Sequence, residues 1–305
     1  MRHFIDLSDW SGQELQHLLE LAAELKQEWQ AGGNKPLLRG KVLAMIFQKP
    51  SLRTRVSFDV GMQHLGGSAI MLGPEEIKLG KRESVGDVAR TLSGYVQGIM
   101  ARVFAHDDVL ELAHYSSVPV INGLSDAQHP CQAMADLFTI QERYGKLQGL
   151  KIAYIGDGNN VAASLGQAAA YFGMRFTLAT PAGYALSEDT LSKIGDIAAA
   201  HGGSVEAYHD PASAAQDADV IYTDTWVSMG QEAETEIRVP ILRPYQVNAE
   251  LLKHASRDVI VMHCLPAHRG QEITDDVADG KHSVLFQQAA NRLHIQKAIL
   301  VELMG

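Results

Sequence analysis

Two stretches of the sequence share one construction and together decide the fold: KVLAMIFQKPSLRTRVSFDVGMQHLG at residues 41–66 and LKIAYIGDGNNVAASLGQAAAYFG at residues 150–173. Each has a lysine near its start and then an unbroken apolar run, VLAMIF or IAYI, passes through a polar turn and continues as a segment predicted to be helical. An unbroken apolar run is typical of a strand covered on both faces, as in a parallel sheet. Further apolar runs and helical segments alternate after each stretch. The sequence therefore predicts an α/β protein with two doubly wound parallel-sheet domains.

The polar stretch KLQG at residues 146–149 is the predicted boundary between the two domains. We expect a first domain at residues 1–148 and a second at 149–286, with a C-terminal helix at 287–305 that crosses back to the first domain. Ligands of such sheets bind outside the carboxyl ends of the strands. We therefore expect the active site in the cleft between the domains.

Composition limits the classes of protein to consider. The chain has 305 residues, 46% of them hydrophobic and 20% charged, which is typical of a soluble globular protein. A net charge of -10 disfavours nucleic-acid partners, and no apolar run is long enough to span a membrane. MRHFIDLSDW does not resemble a signal peptide, and only Cys131 and Cys264 are cysteines. We expect a cytoplasmic protein without a disulfide scaffold.

A candidate anion site follows the first of these apolar runs, in PSLRTRVSF at residues 50–58. Ser51 lies where the strand gives way to the helix, and the first turn of a helix offers unpaired N–H groups and a partial positive charge. Thr54 adds a hydroxyl, while Arg53 and Arg55 cannot share one helical face. The alternative is an N-cap serine followed by solvated arginines.

Two further stretches of the first half end at the same edge of the predicted sheet. MARV places Arg102 at the end of a strand, and HPCQ places His129 in a loop just before a helix. Together with Ser51, these ends are predicted to converge on one phosphate-sized anion.

The second half offers two polar loops after strands. TDTWVSMGQE at 223–232 supplies Asp224 and Ser228, which suit the ammonium and carboxylate groups of an amino acid; the alternative is a turn in which Asp224 caps a helix. HCLPAHRG at 263–270 follows the next strand. GDGNN at 156–160 is a weak dinucleotide-binding pattern, because the third glycine of G-x-G-x-x-G is missing.

The histidines and cysteines raise the possibility of metal or covalent chemistry. His129 with Cys131, and His263 with Cys264, lack the spacing of usual zinc sites, so no metal and no cofactor are expected. Cys264 ends a strand and is a candidate nucleophile, although a free cysteine is commonly a small buried residue.

Five motifs in order, PSLRTRVSF, MARV, HPCQ, TDTWVSMGQE and HCLPAHRG, resemble the aspartate and ornithine carbamoyltransferases. The loops containing SMG and HCLP resemble the ornithine branch, and the similarity extends from the first helix to NRLHIQKAIL. The resemblance implies transfer of the carbamoyl group of carbamoyl phosphate to the δ-amine of L-ornithine, giving citrulline and phosphate in arginine metabolism. It also implies that the catalytic unit is a homotrimer, alone or in a larger assembly.

The resemblance also assigns roles to residues. It implies three catalytic residues, Arg102, His129 and Cys264. It implies that carbamoyl phosphate contacts Ser51, Leu52, Arg53, Thr54, Lys78, Arg102, His129, Gln132, Cys264, Leu265 and Arg292. It implies that ornithine contacts Asn160, Asp224, Ser228 and Met229.

Two residues depart from the ornithine branch. Its members usually have threonine where this chain has Leu52, and many have glutamine where it has Lys78. In that family, the loop that corresponds to the one carrying Lys78 reaches the neighbouring subunit's site. Leu52 predicts weaker carbamoyl phosphate binding, whereas Lys78 is either an added cation or a solvated residue.

Three other functions stay open at this point. A carbamoyltransferase could act on putrescine or an N-acylornithine, although putrescine has no α-carboxylate for the SMG loop to bind. Leu52 alone favours a trimer that binds ligands without turnover. A nucleotide-dependent dehydrogenase rests on GDGNN alone.

Overall fold

The computed structural model describes all 305 residues. Nine strands are present: β1 Val42–Phe47, β2 Ser68–Leu72, β3 Gly98–Arg102, β4 Val120–Leu124, β5 Lys151–Ile155, β6 Arg175–Ala179, β7 Ser204–Tyr208, β8 Val220–Thr223 and β9 Ile260–His263.

Thirteen α-helices surround the strands: α1 Gly12–Gln30, α2 Leu52–His64, α3 Pro74–Ile77, α4 Val85–Ser93, α5 His106–Tyr115, α6 Pro130–Tyr144, α7 Asn160–Tyr171, α8 Glu188–His201, α9 Pro211–Ala215, α10 Thr235–Leu242, α11 Ala249–Leu252, α12 Asp275–Ala278 and α13 Leu285–Met304. No helix combines the length and the apolar composition that a membrane crossing needs.

The chain divides into two units, one of residues 1–138 and 290–305 and the other of residues 139–289. The backbone leaves the first unit within α6 and returns to it within α13. The contacts thus divide the chain inside α6, whereas the linker predicted from sequence, 146–149, follows that helix. The assignment of one substrate to each domain stays a prediction.

The first unit contains a four-stranded sheet in the order β2-β1-β3-β4, with every pair parallel. The strand order reverses between β1 and β3, so the chain leaves these two strands toward opposite faces of the sheet. In a doubly wound sheet, such a switch point is where ligands bind. The two strand ends at this point lead to Ser51 and carry Arg102.

The second unit contains a five-stranded parallel sheet in the order β7-β6-β5-β8-β9. Its switch point lies between β5 and β8, where GDGNN and TDTW leave the sheet. Gly156 has a positive φ of 133°, and a Cβ at Gly158 would lie 2.7 Å from backbone atoms of Tyr184 and Leu186. The tight turn and the close approach of the backbone therefore account for these glycines. The glycines by themselves do not indicate a nucleotide-binding site.

The two parallel sheets confirm the predicted fold class. The capping box SGQE is present, since Ser11 Oγ accepts from Glu14 N–H and the Glu14 carboxylate accepts from Ser11 N–H. The edge strands β2 and β7 were not predicted. The structure leaves their side chains exposed or half-buried: β2 has only the short apolar run AIML, and β7 has none. Edge strands pack on fewer neighbours, so their sequences carry a weaker pattern.

Candidate active site

The first turn of α2 has the geometry of an anion site. Ser51 is the N-cap, and its hydroxyl accepts from Thr54 N–H at 3.2 Å. The remaining N–H groups of this turn lack intrahelical acceptors. Arg53 is half-buried, whereas Arg55 is exposed, so the two arginines do face differently, as their spacing predicted.

Arg102 is directed by an irregularity in the sheet. Opposite Ala101 and Arg102 the pairing of β3 with β4 shifts, and Gly123 becomes an extra residue on β4. A bulge of this kind re-aims the side chain beside it. A Cβ on Gly123 would lie 2.5 Å from Met100 Sδ, which explains the glycine. Arg102 is 7% exposed, so its charge acts in a site of low dielectric constant.

His129 lies deep in the same unit, 4% exposed. Burial, followed by the charges of Arg292, Arg102 and Arg53, holds the pKa of its imidazole well below the usual range. The ring is therefore neutral near pH 7 and can donate one hydrogen bond without transferring a proton. The three arginines whose charges reach it make this a strongly cationic pocket in an acidic protein.

Arg292, from α13, is fixed among buried polar groups. Its Nη1 donates to Gln132 Oε1 at 2.6 Å, and its Nη2 donates to Thr54 Oγ1 at 3.2 Å. Gln132 Nε2 in turn donates to Asp136 Oδ1 at 2.7 Å. The structure thus brings together three residues assigned to this site from widely separated segments, Thr54, Gln132 and Arg292, and their geometry is preorganised.

One cation of this pocket was missed by the sequence analysis. Lys49 is 8% exposed, and its Nζ lies 4.3 Å from the centroid of the Phe104 ring. Burial, and then the charge of Arg102, lower the pKa of Lys49. One feature of the sequence could have indicated this lysine. Lys49 lies between a buried strand and Ser51, and lysines are seldom buried in such a place.

Two predicted ligand residues stand apart from this cluster. Lys78 is about half-exposed, and its ammonium pairs with Glu75 at 3.4 Å rather than with the cluster. Leu52 is 74% exposed, so its side chain packs against nothing that would explain it. The part of Leu52 that suits an anion is its backbone N–H at the start of α2.

In the second unit, Asp224 is held by two donors. Asn159 Nδ2 donates to Asp224 Oδ2 at 2.8 Å, and the Cys264 thiol donates to Asp224 Oδ1 at 2.8 Å. Asn159 Oδ1 caps α7 by accepting from Val161 and Ala162 N–H groups. Asn159 was missed, although an asparagine before a helix is a standard cap, because its second role depends on a residue 65 positions away.

The loop after Asp224 forms a closed turn. Gln231 N–H donates to Ser228 O at 2.9 Å, and Gln231 Oε1 accepts from Ser228 N–H at 3.2 Å. The Glu232 carboxylate accepts from Gly230 N–H, and these backbone donors lower its pKa. Met229 is exposed. Asp224 offers a carboxylate for an ammonium group, and the Ser228 hydroxyl, which none of these contacts uses, offers a donor for a carboxylate.

A buried ion pair anchors the base of this loop. Arg238 Nε donates to Trp226 O at 2.7 Å, and its Nη2 pairs with Asp157 of the GDGNN turn. Trp226 is fully buried. Burial outweighs the attraction of Arg238 and raises the pKa of Asp157 to about 6.

Replacing Asp157 by asparagine is expected to change how stability depends on pH. Between about pH 4 and pH 6 the unfolded chain loses the Asp157 proton first, so the free energy of unfolding of the native protein falls as pH rises. Asp157→Asn lacks this titration, so native stability relative to the variant falls by up to about 3 kcal/mol over this range. Urea denaturation across this pH range measures it. The exposed Asp196→Asn is the control, and equal pH dependence of native protein and Asp157→Asn would contradict the prediction.

HCLPAHRG forms a sharp turn after β9. Leu265 has a left-handed φ of 58°, and the peptide bond from Leu265 to Pro266 is cis. Leu265 N–H donates to His263 Nδ1 at 2.8 Å, while His263 Nε2 lies 3.1 Å from Glu272 Oε1. The turn places Cys264 next to Asp224.

The two cysteines differ in chemistry. Cys131 is fully buried, its thiol donates to Asn122 O at 3.4 Å, and burial raises its pKa to about 12, so it is unreactive. Cys264 is partly exposed and lies with Asp224 and His263 in a group whose ligand atoms are within 4.8 Å of one another. Because both ring nitrogens of His263 are already engaged, a metal there would have to break buried hydrogen bonds.

These features define a class of two-unit α/β proteins. At one switch point such a protein has a pocket of cationic side chains that suits an anion, and at the other it has a site suited to an amino acid. A family profile described as the carbamoyl-P binding domain of aspartate/ornithine carbamoyltransferase matches residues 2–142. A second, described as the Asp/Orn binding domain, matches residues 148–303. The chain belongs to the aspartate/ornithine carbamoyltransferase family.

Full-length relatives support the same assignment. Ornithine carbamoyltransferase of Anoxybacillus flavithermus is 53% identical over 303 residues, which is 99% of this chain and 96% of the relative. The anabolic ornithine carbamoyltransferase of Pyrococcus furiosus is 54% identical over 304 residues, 100% of this chain and 96% of the relative. A solved structure of ornithine carbamoyltransferase from Pyrococcus furiosus has a TM-score of 0.97 at 54% identity and covers 100% of this chain and 97% of that one.

Proposed function

We propose that this protein is an ornithine carbamoyltransferase, which transfers the carbamoyl group of carbamoyl phosphate to the δ-amine of L-ornithine and releases L-citrulline and phosphate. The observation that carries the choice of acceptor is the pairing of Asp224 with Cys264, beside the turn that begins at Ser228. The Asp224 carboxylate and the Ser228 hydroxyl fit an α-ammonium and an α-carboxylate. Putrescine has no α-carboxylate, and an N-acylornithine has no α-ammonium.

The carbamoyl phosphate half of the proposal uses the cationic pocket. The phosphate is assigned to Ser51, the Leu52 backbone, Arg53 and Thr54, where hydroxyls, helix N–H groups and a guanidinium favour a dianion. The carbonyl oxygen is assigned to Arg102 and His129. The carbamoyl amino group is assigned to Gln132, whose Oε1 retains a lone pair beside Arg292. Lys78 remains a candidate second cation for the phosphate.

The chemistry follows from those donors. The neutral δ-amine attacks the carbonyl carbon, and the resulting tetrahedral oxyanion is stabilised by donors that are already in place, Arg102 and neutral His129. Collapse breaks the bond to the phosphate oxygen, and the proton lost by the attacking nitrogen leaves with the phosphate as hydrogenphosphate. The guanidinium groups stabilise that departing dianion. The roles assigned to Cys264, Leu265, Asn160 and Met229 belong to the same proposal.

The decisive experiment is citrulline formation by purified protein supplied with carbamoyl phosphate and, in parallel, ornithine, putrescine and N-acetylornithine. Turnover with ornithine alone supports the proposal. Turnover with another amine would change the acceptor, and binding of carbamoyl phosphate without any turnover would favour a non-catalytic protein. An Arg102→Met preparation, purified identically, excludes a contaminating enzyme.

Restoring threonine at position 52 is expected to lower the KM for carbamoyl phosphate. The side chain of Leu52 is 74% exposed, so the change removes little packing and adds one hydroxyl at the anion site. A charge-assisted hydrogen bond contributes about 1.5–3 kcal/mol, so Leu52→Thr should lower the KM by about tenfold or more. Leu52→Val, which has the shape of threonine without the hydroxyl, is the control. Equal KM values for the two variants would show that the hydroxyl contributes no contact.

We also propose that the protein is a homotrimer in the cytoplasm. Both cysteines are free, and the first unit exposes several large apolar side chains: Val56, Ile70 and Tyr95. Exposed apolar surface of this kind supports self-association. Sedimentation equilibrium should give three times the chain mass of 33.2 kDa, or a multiple of that trimer. A monomer at micromolar concentration would contradict the proposed assembly.

A further inference from the structure

A buried histidine and a buried glutamate lie directly behind the turn that carries Cys264. The side chains of His263 and Glu272 are both fully buried, and His263 Nε2 lies 3.1 Å from Glu272 Oε1. The Glu272 Oε1 atom also accepts from His268 N–H. The backbone of His263 is fixed separately, because its N–H donates to Gln288 Oε1 at 2.9 Å. Hydrogen bonds therefore hold His263 at both ring nitrogens and at its backbone N–H.

These contacts determine the tautomer of His263. A backbone N–H can only donate, so His263 Nδ1, 2.8 Å from Leu265 N, must be the unprotonated nitrogen. The proton of the neutral ring then lies on Nε2, and this N–H donates a hydrogen bond to Glu272 Oε1. A carboxylate behind an imidazole selects one tautomer in just this way. If Glu272 offered no acceptor, the ring could place its proton on Nδ1, which would face the Leu265 N–H donor.

The selected tautomer supports an unfavourable backbone conformation. Leu265 has a φ of 58°, a left-handed conformation that is unfavourable for a residue with a side chain. The hydrogen bond from Leu265 N–H to His263 Nδ1 closes this turn across Cys264. On the other side, the Cys264 thiol is 2.8 Å from Asp224 Oδ1. The orientation of Cys264 toward Asp224 thus depends on a turn that His263 holds.

Glu272 also reaches the Asp224 loop through a second residue. His268, whose N–H donates to Glu272, has its ring Nδ1 3.0 Å from the Thr225 hydroxyl. Thr225 directly follows Asp224. A single buried carboxylate is therefore linked to both loops of the proposed ornithine site.

We propose that Glu272 and His263 are positioning residues: Glu272 fixes the His263 tautomer that holds the left-handed Leu265, and so aligns Cys264 and the Leu265 backbone for carbamoyl transfer. This inference rests on the proposed function for its kinetic consequence. Neither side chain contacts a substrate in this assignment. Small misalignments of reacting groups cost about a hundredfold in rate, so a positioning residue affects kcat.

The first test compares Glu272→Leu with Glu272→Gln. Leucine removes the acceptor at similar volume, whereas glutamine Oε1 can still accept from His263 Nε2–H and His268 N–H. We expect Glu272→Leu to lower kcat by about 10- to 100-fold and Glu272→Gln to stay within about threefold. A Glu272→Leu enzyme with normal kcat and only a lower Tm would overturn the proposal.

The second test separates the two nitrogens of His263. In His263→Asn, Oδ1 occupies the place of Nδ1 and can accept from Leu265 N–H. In His263→Gln, the amide reaches the place of Nε2 and can bond Glu272, but the Nδ1 acceptor is lost. We expect His263→Asn to have the higher kcat by about tenfold. Equal kcat values would overturn the proposal, and this pair decides the matter if Glu272→Leu does not fold.

A third readout does not depend on turnover. Alkylation of native protein by iodoacetamide reports Cys264 alone, because Cys131 is fully buried with a pKa raised to about 12. Release of the turn should free the thiol from Asp224 and change the alkylation rate at least fivefold in Glu272→Leu but not in Glu272→Gln. Equal rates in both variants and the native protein would refute the positioning role. If the native protein formed no citrulline, the proposed function would fail, and the thiol readout would still decide this inference.

Discussion

Replacing Arg102 by methionine is expected to lower kcat for citrulline formation by about 10²- to 10³-fold, the loss typical of removing one preorganised donor to a developing oxyanion. Arg102 is 7% exposed and lies opposite the bulge at Gly123, so its charge acts where water does not screen it. Methionine keeps most of the length of the side chain and removes the guanidinium. Steady-state kinetics at saturating carbamoyl phosphate and ornithine measure the effect.

The matched control is Arg55→Met. Arg55 lies on α2 close to the anion site in sequence, but its side chain is exposed. The same change of charge there should alter kcat by less than about twofold, since exposed charges are largely screened. If the two variants lost activity equally, the effect would come from the net charge of the region, and the specific role assigned to Arg102 would be wrong.

Asp224→Asn is the second change with a large expected effect. Asparagine has the same shape and can still accept from Asn159 Nδ2, but it lacks the negative charge for the α-ammonium of ornithine. Loss of a charge-assisted hydrogen bond costs about 1.5–3 kcal/mol, so kcat/KM for ornithine should fall by about 10- to 150-fold. The Kd for carbamoyl phosphate should not change, because the groups assigned to that ligand's phosphate and carbonyl oxygen lie in the first unit.

Asp196→Asn on α8 makes the same chemical change at an exposed position and should leave kcat/KM for ornithine unaltered. A normal kcat/KM in Asp224→Asn would mean that Asp224 does not bind the acceptor. Because the variant can keep the hydrogen bond from Asn159 Nδ2, such a result would direct attention to the turn at Ser228 as the main contact.

The local features of the fold could be predicted because their causes are local. The apolar runs of β1 and β5 are buried on both faces, and the capping residues Ser11 and Ser51 bond to N–H groups three positions away. The edge strands β2 and β7 escaped prediction because they are short and largely exposed or half-buried, so their sequences carry a weaker pattern. The positions of Arg102 and Asp224 at strand ends followed from the alternation of strands and helices alone.

By itself, the sequence determined two parallel α/β sheets and the positions of polar motifs at their carboxyl ends, because apolar runs, caps and glycine turns act over a few residues. Only the tertiary structure decided which polar groups pair. Thr54 meets Arg292 across 238 positions and Asn159 meets Asp224 across 65, while Glu272 reaches back to His263 inside a fully buried core. Such pairs form because a buried polar group must find a partner, and packing decides which partner is within reach.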